Sequence, residues 1–432
     1  MAAIGIIGFG TVGTGTVKVL LQNADLIKKR TGLDLNLIKI ADLDIKRDRG
    51  VRLPEGILTD DVNEVLENPE IDIVVELIGG LRPAKDFIIR AIRNKKHVVT
   101  ANKALLAEDG EDIFREAMKM GVMIGFEASV AGGIPIIKVV KEGLVANKFL
   151  SIYGIINGTS NYILTKMTDE RLSFQDALKE AQRLGYAEAD PTLDVEGIDA
   201  THKLTILASL AFGIPLSYKK IYREGITNIT PLDIEFASEL GYRIKLLAIA
   251  KLLNKELELR VHPTMVPQEY LISKVDGVFN AIYVEGDAVG PTLYYGRGAG
   301  DMPTGSAVVS DIVDIAKKIK SPELNFIGSP YSDIAIKDMG EIMSMYYFRF
   351  TAIDRPGVLS KISGILGEHN ISIASVIQKG RRIGGAVPLV ILTHTAKEKD
   401  VKKALSEIDR LPVVADRSFL LRVEGKEEDI IK

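Results

Sequence analysis

The sequence predicts an α/β chain in three parts: a parallel, doubly wound N-terminal sheet, a central α+β domain around a mixed sheet, and a C-terminal βαββαβ domain of ferredoxin-like topology. Three observations carry this prediction. The motif GFGTVG stands between an apolar strand and a helix and opens a run of alternating strands and helices. Residues 185–213, GYAEADPTLDVEGIDATHKLTILASLAFG, set several acids and one lysine along an otherwise apolar helix. Residues 345–425 are self-contained, with the turn Asp354-Arg355-Pro356-Gly357 between a strand and an apolar helix.

The first element is the apolar run Ala3 to Ile7, followed by Gly8-Phe9-Gly10-Thr11-Val12-Gly13 and a helix to about Leu26. This is G-x-G-x-x-G in its diagnostic setting. The first glycine makes a tight turn, the second admits a pyrophosphate to the backbone, and the third lets helix pack on strand. The helix N-terminus offers free N–H groups to phosphate oxygens. The reading is therefore a Rossmann dinucleotide-binding domain. A second strand, Leu35 to Ala41, ends in Asp42, where an acid takes the ribose hydroxyls of NAD. Lys46, Arg47 and Arg49 follow and could hold the 2′-phosphate of NADP instead, or be a solvated turn. The choice between NAD and NADP stays open.

Strand and helix alternate onward to VMIGFEASV, residues 122–130. Ligands of such sheets bind beyond the C-terminal strand ends, so Gly79-Gly80, Ala101-Asn102-Lys103 and Glu127 should line one crevice. Lys103 is a candidate contact for substrate or cofactor. In the central part Thr159 opens a helix, and Ser173 caps another that ends before Gly185. Short strands near 257–263, 281–285 and 288–291 suggest a mixed sheet and a dimer surface. A helix from Gly305 to Ile319 is expected to return to the first domain, with Gly305 near the nicotinamide.

The stretch 185–213 is the chemical centre. Pro191 holds Glu188 and Asp190 in a loop. From Glu196 a buried helix is expected, with Glu196, Asp199 and Lys203 at i, i+3 and i+7 on one face. A lysine among carboxylates in an apolar helix can serve an amino group or a proton in transit.

Composition bounds the rest. The 432 residues, 46% apolar and 26% charged, suit two to four globular domains. A net charge of −3 makes no electrostatic case for nucleic acid or a membrane surface. There is no cysteine, which excludes disulfides and thiol chemistry. The N-terminus lacks a basic n-region and no stretch is long enough for a membrane span, so a cytoplasmic protein is expected.

With these pieces in place, the C-terminal segment resembles an ACT domain. The whole chain resembles homoserine dehydrogenases that carry one, through GFGTVG, TANK, EASVAGGIP, NGTSNYIL, GYAEADPTLDVEGIDATHKL and GDMPTGSAVVSD. The resemblance implies reversible reduction of L-aspartate 4-semialdehyde to L-homoserine with NAD(P)H. It implies that Lys203 and Lys103 flank the reacting carbonyl, with Lys203 favoured over Lys103 as the proton donor. Glu188, Asp194 and Asp199 would position the substrate amine and the lysine, with the Thr159 backbone helping. Glu127, Val130, Gly132 and Ile134 would form a main-chain sodium site. The expected division is 1–128 with the returning helix 303–320 for dinucleotide binding, 129–302 for catalysis and dimerisation, a linker 321–344, and the ACT domain 345–425. A homodimer or higher homo-oligomer and an amino-acid effector, threonine by resemblance, are implied. The turn Asp354 to Gly357 with Asn370 would bind that effector. Cutting the chain after about residue 340 should then leave an active, insensitive enzyme. Another amino-acid dehydrogenase of the same fold would not need both the acidic loop and the Asp199–Lys203 pair. A non-enzymatic sensor would be expected to lack them.

Overall fold

The computed structural model describes residues 2–216, 218–319, 334–379 and 385–425. The chain forms two compact units. The first comprises 1–158, 198–221 and 278–334; the second comprises 159–197, 222–277 and 335–432. This differs from the expected division, because 129–302 is shared between both units. The physical reason lies in packing. Helix Ile198–Phe212 packs on helix Lys103–Met120, whereas the long hairpin 242–267 pairs with the C-terminal segment.

In the first unit six parallel strands, β1 (Ala2–Ile7), β2 (Leu35–Ala41), β3 (Leu58–Thr59), β4 (Ile73–Glu76), β5 (His97–Thr100) and β6 (Ile124–Gly125), stand in the order β3-β2-β1-β4-β5-β6. This is the doubly wound order, with its switch point between β1 and β4. β4 is buried along its whole length, as a parallel strand covered on both faces must be. The helix Asp301–Lys318 returns as expected, starting four residues earlier than predicted. Its Val308 and Ile312 complete the core around Ile4, Ile6, Ile73 and Val99.

The glycine motif separates two roles. A Cβ at Gly13 would lie 2.2 Å from the Gly8 carbonyl oxygen, whereas a Cβ at Gly10 would meet nothing within 4 Å. Gly13 serves helix–strand contact and Gly10 leaves room. Gly10→Val should therefore raise the cofactor Kd with an unchanged melting temperature. Gly13→Ala should cost about 1–3 kcal/mol of stability through overpacking. Calorimetric titration beside thermal melting checks both, and a Gly10→Val protein with wild-type cofactor affinity would reduce the motif to a turn. Gly305 is also a packing glycine: its Cβ would lie 2.6 Å from the Gly15 carbonyl carbon on helix Thr11–Gln22. Its Cα faces that helix, which explains the glycine without a contact to nicotinamide.

Also in the first unit, strand Phe149–Ile155 pairs antiparallel with Phe279–Gly286, which pairs with Gly290–Arg297. In the second unit, Tyr242–Leu253 and Glu256–Pro267 form a hairpin paired over its full length. Strand Phe419–Val423 joins that hairpin in parallel through Thr264–Arg422 and Met265–Val423. Met343–Ile353, Ala386–Thr393 and Ile373–Gln378 continue the sheet antiparallel. Helices Val358–Glu368 and Glu398–Ile408 contribute Ile362 and Val401 to the core on Phe348, Phe350 and Ile391. The βαββαβ order is as predicted. Leu359, on the first of these helices, is 42% exposed.

The C-terminal domain does not stand apart on a linker. Of the expected linker, 321–333 lies outside the described residues. Ala335–Ile336 is a strand paired with Glu256–Leu257, and Met343 already begins the first strand of the βαββαβ sheet. Residues 380–384 also lie outside the described residues. Buried ion pairs stitch the sheet to its neighbours. Arg422, 1% exposed, bonds Glu398 at 2.5 and 2.9 Å and Glu224 at 2.9 Å. Asp233, fully buried in its capping box with Thr230, accepts from Arg349 at 2.6 and 3.1 Å and from Tyr347 at 3.1 Å. Arg260 is paired with Glu258 and Glu424.

Candidate active site

Helix Ile198–Phe212 buries Asp199 and Lys203 one turn apart. The Lys203 Nζ donates to Asp199 Oδ2 and to the Ile156 carbonyl, both at 2.7 Å. The ammonium is thus aimed by the protein. Asn157 Nδ2 donates to the same Asp199 oxygen at 2.9 Å, and the Lys103 ammonium lies 3.4 Å from the other. One buried carboxylate therefore clamps two ammonium groups, of which the Lys103 side chain is 44% exposed and the Lys203 side chain 11%. Burial pushes the Asp199 carboxyl up. The charges of Lys203 and Lys103 and the hydrogen bonds from Lys203 and Asn157 outweigh it and hold the group well below the usual carboxylate range.

Lys103 is the first residue of its helix, after the Asn102 cap. A cation there opposes the helix dipole, a placement that pure stability would not select. It is held from behind. Asn102 accepts from Leu105 N at 3.1 Å and donates to the Gly80 carbonyl at 2.6 Å, tying the β5 end to the β4 end. Glu76, fully buried at the end of β4, accepts from Thr100 Oγ1 and from the N–H groups of Ile78 and Gly79. The same helix carries Glu108, whose Oε1 lies 3.7 Å from His202 Nε2, beside Lys203.

The glycine turn, the Leu77–Gly80 loop and Lys103 follow β1, β4 and β5, which are neighbours in the sheet. The first-turn N–H groups of Thr11, Val12 and Gly13 have no partner within their own helix, so that end is built for an anion. Phe9 N donates to Asp42 at 2.6 Å. Of the three basic residues after Asp42, Arg47 gives its own N–H to Asp44 and its carbonyl to Arg49, and Arg49 reaches Asp42.

The second unit holds the other predicted acids. Thr159 Oγ1 donates to the Tyr186 carbonyl at 2.6 Å, and Ser160 Oγ donates to the Asp194 carbonyl at 2.9 Å. Glu188 is exposed, and Asp194 lies on the short helix Thr192–Val195. Asp190 is spent on its own turn, accepting from Thr192 N and Oγ1. Glu196 does not share the helix of Asp199 as expected. Gly197, at φ 73°, breaks the chain before Ile198, and Glu196 accepts from Thr227 at 3.4 Å instead.

The expected sodium turn fits a hard cation in part. Ala131 and Gly132 are left-handed at φ 55° and 54°, a costly conformation for alanine. Among the described residues no backbone hydrogen bond reaches the buried carbonyls of Val130 and Gly132. Glu127 offers its carbonyl to Val130 N only at 3.4 Å, whereas the Ile134 carbonyl is already taken by Ile136 N at 2.8 Å. Two unpaired main-chain oxygens in a dry turn are the kind of donor such an ion takes.

Beside that turn, Asp311 accepts from Glu127 N at 2.7 Å. Burial and the Glu127 charge push the Asp311 carboxyl up to about 8. A raised acid binds its proton in the folded state first, so its contribution falls as pH rises from about 4 to 8. Asp311→Asn keeps the acceptor and should flatten the decline of melting temperature across that window. An unchanged slope would show that Asp311 does not carry it.

A phosphate-ready glycine turn, a crevice along strand ends and a carboxylate holding two ammonium groups define a nicotinamide-dependent oxidoreductase acting on a carbonyl or alcohol. Comparison with known proteins makes the assignment specific. Sequence profiles described as homoserine dehydrogenase, its NAD binding domain, and the ACT domain match residues 135–313, 8–127 and 346–413. The homoserine dehydrogenases of Neisseria gonorrhoeae and Pseudomonas aeruginosa are 48% and 49% identical, over 98% of this chain and 98% of each relative. The crystal structure of that of Thiobacillus denitrificans is 49% identical, with a TM-score of 0.93 over 98% of both chains. The chain belongs to the homoserine dehydrogenases.

No helix among the described residues is long and apolar enough to cross a membrane. Asn102 is expected from sequence at the crevice, whereas Asn157, Glu76 and the Ile156 carbonyl are not expected there. Of these three only Glu76 left a signal in the sequence, as an acid inside the run IDIVVELIGG.

Proposed function

We propose that the chain interconverts L-aspartate 4-semialdehyde and L-homoserine with NAD(P)H in the cytoplasm, on the route to threonine, methionine and isoleucine. The Lys203–Asp199–Lys103 cluster is the observation that carries this reading. When bound, the nicotinamide supplies a hydride to the aldehyde carbon. The aldehyde oxygen then needs a proton, and Lys203, held by Asp199 and the Ile156 carbonyl, gives it. Lys103, more exposed, steadies the oxygen. Glu188 and Asp194 take the substrate ammonium, with the Thr159 main chain assisting. Sodium at Glu127, Val130, Gly132 and Ile134 would stiffen the turn there.

We read the ACT domain as an amino-acid sensor in a homodimer or larger assembly, with threonine the effector to test. Support comes from Gly357, at φ 87°, which opens helix Val358–Glu368 after the D-R-P-G turn. Asn370 does not complete that site within one chain. It stands past the far end of an 11-residue helix, about 16 Å away, in the left-handed conformation. The decisive experiment is steady oxidation of NAD(P)H on addition of aspartate semialdehyde, with pyruvate and glyoxylate as controls. Equal rates with all three would sink the substrate assignment. Millimolar threonine in the same assay tests the sensor.

A further inference from the structure

Arg422, on the last strand of the ACT domain, has more partners than packing requires. Its Nε and Nη2 grip both oxygens of Glu398, the bidentate pairing that neutralises a buried guanidinium. Its Nη1 donates to Glu224 Oε2 at 2.9 Å, and Nη2 also donates to the Tyr222 hydroxyl at 3.1 Å. That hydroxyl donates in turn to the same Glu224 oxygen at 3.0 Å, and the guanidinium lies 4.9 Å over the Tyr222 ring. Tyr222 and Glu224 belong to a strap, residues 222–226. Its first two residues pair with Arg260 and Val261, and Glu224 N donates to the Val261 carbonyl at 2.8 Å. The strap also lies on the acidic segment that precedes helix Ile198–Phe212. Ile226 N donates to the Val195 carbonyl at 2.8 Å. A Cβ on Gly225 would lie 2.5 Å from that same oxygen and 2.8 Å from Glu196 Cα, so the contact has no slack. Asp194 is the next residue back, and its carbonyl accepts from Ser160 Oγ at 2.9 Å. Every residue of this path lies in the second unit.

We propose that Arg422 and Glu224 are positioning residues for the substrate's amino group: through the strap 222–226 they fix the segment 194–197, and with it Asp194. The proposal rests on the reading in which Asp194 takes the substrate ammonium. A second carboxylate on a guanidinium that is already paired adds desolvation cost, so stability alone does not call for it. What it adds is direction, because the fork of one arginine holds Glu398 and Glu224 in a single plane. A shift of Glu224 would carry Gly225 with it. Gly225 cannot move towards Val195, and moving away would break the bond from Ile226 N. The last strand of the ACT domain thus takes part in holding the substrate acid, whether or not an effector is bound.

The test separates KM from kcat in the intact protein, with L-homoserine varied at saturating oxidised dinucleotide. Glu224→Ala should raise the KM for homoserine by about tenfold, the size of one charge-assisted contact. The kcat and the dinucleotide Kd should hold, because an ammonium contact serves ground state and transition state alike. Glu224→Gln, whose amide oxygen can still accept from Arg422, should raise KM less. Arg422→Lys should raise it too, and Arg422→Lys combined with Glu224→Ala should be no worse than Glu224→Ala alone, since the two share one clamp. Arg349→Leu loosens the same unit without touching 222–226, so it should lower the melting temperature and leave KM unchanged. Hydrogen exchange gives a readout free of turnover: the amides of 195–197 and Ile226 should exchange faster in Glu224→Ala and not in Arg349→Leu. A wild-type KM in Glu224→Ala, or a KM raised equally by Arg349→Leu, would overturn the proposal. A wild-type protein inert towards homoserine would instead fault the substrate reading, and unchanged exchange in Glu224→Ala would then remove the clamp as well.

Discussion

Lys203→Ala should lower kcat by roughly 10²-fold or more, the range that a general acid commonly contributes. Cofactor affinity should stay near wild type, because the glycine turn proposed to hold the dinucleotide's phosphates is left intact. A second effect follows from Asp199. In the wild type the lysine charges hold its carboxyl below the ordinary 3.8 despite burial. A depressed acid contributes stability above its unfolded pKa and loses it as pH falls. Without Lys203 that contribution shrinks at neutral pH, so the variant should melt lower at pH 7. The gap to wild type should narrow below about pH 4, where the unfolded carboxyl is also protonated. Single-turnover kinetics and a pH series of melts measure both. Near-normal turnover by Lys203→Ala would take this residue out of the mechanism.

A chain ending just before Met343 should fail to form a stable second unit. This replaces the expectation, drawn from sequence, of an active and insensitive truncation. The Glu256–Pro267 strand would lose its neighbour Phe419–Val423, and Arg260 would lose Glu424. Fully buried Asp233 would lose Arg349 and Tyr347. Removing one partner of a buried pair costs about 3–5 kcal/mol, and two such losses approach the about 5–15 kcal/mol that holds a typical protein together. Arg349→Leu isolates one of them and should cost about 3–5 kcal/mol in urea unfolding. A soluble truncation with cooperative unfolding and normal turnover would show that these contacts are dispensable.

Local signals were readable from sequence and distant ones were not. GFGTVG declared its role because strand, turn and helix are contiguous. The Asp199–Lys203 pair was legible because one helical turn joins it. Glu196 was assigned to the same face because periodicity does not register the left-handed Gly197, although that glycine was visible in the sequence. Asn157 reaches Asp199 across 42 residues and Asn102 reaches Gly80 across 22, and no pattern of spacing announces either bond. Arg47 and Arg49 were equivalent as letters. What sets Arg49 apart is its own side chain, which donates to the Phe9 carbonyl and lies over the Phe9 ring.

The segment-wise construction of the two units bears on the order of assembly during synthesis. The first unit waits for Val308 and Ile312, and the second waits for the strand Phe419–Val423. Neither can close while its opening segments leave the ribosome, although domains generally fold as units from the N-terminus during synthesis. The earliest strands must therefore persist with apolar faces uncovered, and the second unit becomes committed only once Val423 has been made. Arrested nascent chains should gain protease resistance in two steps, one after the helix Asp301–Lys318 has emerged and one after Val423.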